Sequence, residues 1–136
     1  MLKIVLDTNV LVSATVSKGT CFELLRRADA GEVSLFLSFD IIQEFKEVIS
    51  RRKFGYDQEH VESVLNKLIG MTNLIESPPR IDVIEDDPKD NVILACALSI
   101  NADYLVSGDE HLLSLNEFKG TRIVSPKEML EILNKT

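Results

Sequence analysis

A chain of 136 residues, 45% of them hydrophobic, can bury a core of its own without a metal or disulfide staple, and residues 1–136 read as a single domain. The net charge of −7 and the pI near 4.8 exclude binding of nucleic acid through a general basic surface. That leaves either no nucleic-acid ligand or an acidic cluster built to hold cations. No apolar run approaches the roughly 18 residues of a membrane span, and Met1 leads straight into a strand-like stretch instead of a signal sequence. A cytoplasmic protein with no membrane partner is expected.

In chain order, residues 3–6 are a short apolar, β-branched run that predicts a buried strand. Residues 20–30 carry Phe22, Leu24, Leu25 and Ala28 at helical spacing, with Gly31 as the stop. A second strand is predicted at 33–37. Over 39–53 the residues Ile41, Ile42, Phe45, Val48 and Ile49 form one helical stripe, ended by Phe54-Gly55. Another amphipathic helix is predicted at 57–73, with Val61, Val64, Leu65, Leu68 and Ile69 inward. Ser77-Pro78-Pro79 is a breaker, and 81–87 reads as an acidic loop with a short extended piece. A helix from Pro88 to about residue 100 is apolar on nearly every side after Asn91. Strand 104–106, short helix 110–115, strand 122–124 and helix 126–133 complete an alternation that predicts an α/β domain on a parallel sheet.

Cys21 and Cys96 lie far apart in apolar helical surroundings and read as reduced core thiols. His60 and His111 have no cysteine at ligand spacing, so no zinc template is present.

The chemistry is carried by carboxylates. Asp7 follows the first strand, and Asp109 follows the strand 104–106 after two small residues; the crevice beyond the carboxyl ends of parallel strands is where ligands bind. The competing reading of each is a helix N-cap, since both precede helical stretches, though Thr8 and Asn9 could cap as well as Asp7. Glu44 falls at the flank of its helix's apolar stripe, where a half-buried acid needs a counter-ion or a salt bridge. Asp87 before Pro88 reads as an N-cap, and Asp86 and Asp87 as helix-start residues. Asp90 heads a helix that is otherwise buried, on the face of Ile93, Leu94 and Ala97. Two like charges about 4 Å apart repel by roughly 4 kcal/mol at a surface-like dielectric, and divalent cations would offset that cost. An all-oxygen set favours magnesium or manganese over zinc or copper.

Leu6-Asp7-Thr8-Asn9-Val10-Leu11, Glu44 in the helix after the second strand, Asp87-Pro88-Lys89-Asp90-Asn91 leading into Ala95 and Ala97, and Ser107-Gly108-Asp109-Glu110-His111-Leu112-Leu113 together resemble the PIN-domain nucleases. The likeness is greatest to the stand-alone prokaryotic members grouped with toxin-antitoxin systems, the VapC-type toxins, and it covers essentially the whole chain. What the resemblance implies is a three-layer α/β/α sandwich with a parallel sheet of order 3-2-1-4-5 and an acidic pocket for Mg2+ or Mn2+. It implies that Asp7, Glu44, Asp90 and Asp109 match the family's acidic quartet, with Asn9 and Ser107 as supporting polar residues. Ser107 stands where many members have threonine, which keeps the hydroxyl. Homodimers, and for toxins a small antitoxin partner, are implied as well.

The expected activity is metal-assisted hydrolysis of phosphodiester bonds in RNA, an endoribonuclease of a toxin-antitoxin system. Asp7 and Asp90 are the first choices for direct ligands. Arg51, Arg52 and Lys53 are candidates for RNA contact, with Lys18, Arg26 and Arg27 behind them; as cations at a helix end, the first three could simply complement the macrodipole. A receiver-like phosphotransfer domain shares the size and alternation but wants an acidic pair after the first strand and a lysine ending the last. Val124-Ser125-Pro126-Lys127 puts the lysine too late, and Asp7-Thr8-Asn9 lacks the Asp-x-Asp of haloacid-dehalogenase-like phosphatases. A PIN-fold module that binds without catalysis is the third reading.

Overall fold

Ile4, Val5 and Leu6 are all fully buried, although successive strand residues point to opposite faces of a sheet. The strand they form, β1 (Lys3–Leu6), is therefore covered on both sides, as a central strand of a parallel sheet must be. The computed structural model describes residues 1–76, 78, 80 and 88–135. The expected loop at 81–87, with Asp86 and Asp87, lies outside the described residues.

After β1 come α1 (Thr8–Val16), α2 (Thr20–Asp29), β2 (Ser34–Ser38), α3 (Phe39–Ile49), α4 (Gln58–Met71) and β3 (Thr72–Ile75). Then follow α5 (Pro88–Ser99), β4 (Tyr104–Val106), α6 (Glu110–Leu113), β5 (Glu117–Phe118), β6 (Thr121–Val124) and α7 (Pro126–Asn134). Among the described residues the sheet order is β3-β2-β1-β4-β6-β5. Its first five members are parallel and follow the implied order 3-2-1-4-5, with β6 as the fifth strand. The difference is β5, a two-residue edge strand antiparallel to β6.

The structure corrects other sequence expectations. The predicted helix 57–73 stops at Met71, and residues 72–75 are the edge strand β3, where Leu74 is exposed. With both Asn73 and Leu74 open to solvent, this strand lacks the in-out alternation that would reveal it. Helix α3 ends at Ile49, and a 3-10 turn at Arg52–Phe54 precedes Gly55, whose φ of 68° is left-handed. Arg51, Arg52 and Lys53 thus lie beyond the helix they were expected to finish. The helical stretch after Asp7 is a separate element, α1, broken from α2 at residues 17–19. Cys96 is buried, whereas Cys21 is only partly so. No helix among the described residues is long and apolar enough to cross a membrane.

Register then positions the chemistry. Leu6 of β1 pairs with Val106 of β4, so the residues that follow, Asp7 and Ser107, emerge side by side at the carboxyl edge. The Asp7 amide continues the ladder to the Val106 carbonyl at 3.0 Å, and the Ser107 amide to that of Val124 at 3.0 Å. Helix α5 packs across β1, β2 and β4, and its first turn carries Asp90.

Candidate metal centre and cleft

Asp7 follows directly on β1 and caps α1. Its Oδ1 accepts from the amides of Asn9 at 2.7 Å and Val10 at 3.3 Å, while Oδ2 accepts from the Ser107 hydroxyl at 2.5 Å. The capping expected of an Asp in this place is present, and the same carboxylate lines the acidic cleft. Burial pushes its carboxyl above the ordinary carboxylate range, against the lowering effect of the Ser107 and amide hydrogen bonds; the nearby Asp109 adds to the rise. A buried acid so placed is costly to ionise alone and favours a cation beside it.

Ser107 is fully buried and works in two directions, because its oxygen also accepts from the Asp109 amide at 2.9 Å. Asp109 in turn caps α6, with Oδ1 accepting from His111 at 2.8 Å and Leu112 at 3.3 Å. One hydroxyl thereby ties the end of β1 to the start of α6. Glu44, on α3, is half-buried as its place in the stripe predicts; its carboxylate accepts from the Thr8 hydroxyl at 3.1 Å and pairs with Lys89 at 3.5 Å. Asp90 is 6% exposed in the first turn of α5, where the positive end of the helix dipole offsets part of its charge.

A cleft of about 250 Å³ gathers these groups. Asp7, Asn9, Glu44, Asp90 and Asp109 line it, together with Arg51 and Lys53. Arg52 does not line it, nor do Lys18, Arg26 and Arg27. Arg26 is bound to Glu23 at 2.6 Å, and Arg27 to Glu32 at 3.0 Å. At the rim of the cleft, where His111 adjoins Asp109, the donors that come together among the described residues are Asp90, Asp109 and His111, each offering one ligand atom within 4.8 Å of the others. Asp7 and Glu44 stand outside that set. Nothing in the sequence marks His111 as a ligand beyond a position two residues past Asp109 at a helix start, since no cysteine lies at ligand spacing from it.

The donor chemistry fits a divalent ion: two carboxylates and an imidazole converge, and two more carboxylates share the cleft. Carboxylate oxygens suit Mg2+ and Mn2+.

The sequence matches the PIN domain over residues 3–111. The chain belongs to the PIN-domain family. PIN domains are generally nucleases, and PIN nucleases generally use divalent metal. No curated protein matches this PIN domain in sequence. Among solved structures it is similar to PAE2754 from Pyrobaculum aerophilum, with a TM-score of 0.66 and 17% identity over 99% of this chain and 91% of that one. It is also similar to VapBC2 from Rickettsia felis, solved bound to a DNA fragment from its promoter, with a TM-score of 0.65 and 15% identity over 91% of this chain and 98% of that one. At such identities the likeness is one of fold.

Proposed function

We propose that residues 1–136 form one PIN domain that acts in the cytoplasm as a Mg2+- or Mn2+-dependent endoribonuclease, with Asp7, Glu44, Asp90 and Asp109 as its catalytic acids. The observation that carries this reading is the cleft itself: four acids from separate elements and three cations, Arg51, Lys53 and the Glu44-paired Lys89, line one cavity on a chain that is otherwise strongly acidic. A divalent ion held by the acids supplies a Lewis acid that lowers the pKa of water and offsets charge on the phosphate.

The side chains supply position and charge. Ser107 fixes the Asp7 carboxylate through Oδ2, and the amides of Asn9 and Val10 fix it through Oδ1. Asp90 and Asp109 present oxygens to the same space. Lys89 holds Glu44 at the cleft wall. Arg51 and Lys53 draw in the phosphate backbone and offset the repulsion that the acids exert on it. No side-chain nucleophile is required.

The family resemblance and the likeness to VapBC2 support a role as the toxin of a toxin-antitoxin pair, restrained by a small antitoxin; the homodimer rests on the family resemblance alone.

The test is cleavage of a labelled single-stranded RNA and of single-stranded DNA of the same sequence, in Mg2+, in Mn2+ and in EDTA. RNA is cut with either ion and not in EDTA, and Asp90→Asn lowers the rate at least about a hundredfold, equivalent to ~2.7 kcal/mol of transition-state stabilisation. RNA left intact by the folded, Mn2+-loaded protein overturns the nuclease reading in favour of a binding module. A small protein encoded beside this chain that abolishes cleavage on mixing supports the toxin role, and one without effect opposes it.

A further inference from the structure

We propose that His111 is a ligand of the ion held by Asp90 and Asp109, so that the site takes first-row transition ions, Mn2+ among them, ahead of Mg2+. The inference rests on the nuclease reading above and concerns which ion that site selects.

The spacing of the donors, the exposure of the ring and the capping of α6 lead to it. The His111 Nδ1 lies 4.0 Å from Asp109 Oδ1, too far for a hydrogen bond, so the imidazole is not committed to its neighbour. Donors on one ion at about 2.1 Å lie roughly 3 Å apart when adjacent and roughly 4 Å apart when opposite. One ligand atom each of Asp90, Asp109 and His111 lies within 4.8 Å of the others, so a small turn of the ring brings the three onto a shared ion. The His111 side chain is 75% exposed, so it can turn onto an ion without disturbing the core. Asp109 uses Oδ1 to cap the amides of His111 and Leu112, which holds the two side chains at adjoining places on the first turn of α6. Its Oδ2 accepts no hydrogen bond among the described residues and is available to a cation.

The chemical consequence follows from the nitrogen. Mg2+ demands near-octahedral oxygen donors and gives up its waters reluctantly. Imidazole suits transition ions, and affinity for a mixed nitrogen and oxygen set rises along the first row. Replacing one oxygen by the His111 ring thus tilts the site away from Mg2+.

The experiment uses the whole chain with Mn2+ and Mg2+ as probes. Calorimetry on wild type, His111→Ala and Asp90→Asn is joined to electron spin-echo modulation of the Mn2+-loaded proteins. Wild type binds Mn2+ more tightly than Mg2+, and His111→Ala weakens Mn2+ at least about tenfold, the lower end of what even an outer-shell partner is worth, while leaving Mg2+ nearly unchanged. Imidazole nitrogen modulation appears in wild type and in His60→Ala, which removes the other of the chain's two histidines, and vanishes in His111→Ala. If Asp90→Asn abolishes Mn2+ binding while His111→Ala keeps full affinity and no nitrogen modulation is seen, the inference is overturned and the nuclease reading stands. Wild type that binds no Mn2+ overturns both.

Discussion

Ser107 donates its hydroxyl to Asp7 across a separation of 100 residues and in the same place accepts the Asp109 amide. Removing that oxygen strips a charge-assisted partner from a buried carboxylate and an acceptor from a part-buried amide. Ser107→Ala is expected to cost about 1–3 kcal/mol, read as a lower urea midpoint with an unchanged slope. The same variant loosens the aim of Asp7, so cleavage falls as well.

Asp7 is expected to weaken the metal-free fold that it serves. Its folded carboxyl titrates above the unfolded value of 3.8, chiefly because of burial, so the folded state binds its proton more readily. The stability this lends is fully present below the unfolded pKa and is lost as pH rises through the folded one. Asp7→Asn keeps the Oδ1 cap and removes the buried charge. In EDTA at pH 7 the variant therefore melts above wild type, and the gap closes as pH is lowered toward about 4. Adding Mn2+ raises the wild-type midpoint and raises that of Asp7→Asn less.

Arg51 and Lys53 line the cleft and Arg52 does not. Each phosphate contact on a single strand contributes about 0.7 to the slope of log affinity against log salt. Replacing both Arg51 and Lys53 by alanine is expected to lower that slope by about 1.4, whereas Arg52→Ala leaves it nearly unchanged. Anisotropy of a labelled RNA with the Asp90→Asn protein gives the comparison without cleavage.

Cys96 is fully buried in α5, and burial pushes its thiol up to about 12. Thiolate, the reactive form, is scarce at neutral pH. Ellman's reagent should modify Cys96 only as fast as the protein unfolds, and both thiols at once in guanidinium. Cys21, partly exposed, should react first in the native protein.

Much of this arrangement is legible in the sequence. Residues 3–6 and 104–106 announce central strands by being apolar throughout, and Ile41 to Ile49 announce α3 by a single stripe. Glu44 could be placed at the flank of that stripe, and the structure finds it half-buried there. What periodicity missed is what tertiary contacts decide. Helix α1 is rich in β-branched residues and has no clean polar face. The edge strand β3 joins α4 without a turn residue between them. The grouping of Asp90, Asp109 and His111 depends on how α5 crosses the sheet, which no local pattern encodes. Sequence alone sets capping by Asp7 against a place in the cleft, yet the two oxygens of one carboxylate serve both.

The side-by-side exit of β1 and β4 also bears on when, as the chain is made, the cleft can form. A growing chain that has reached residue 100 already contains Asp7, Glu44 and Asp90, but lacks the strand that brings Ser107 and Asp109 to them. A ribosome-bound fragment of that length therefore lacks part of the acidic set, and the cleft is expected to close only when β4 and β6 join the sheet.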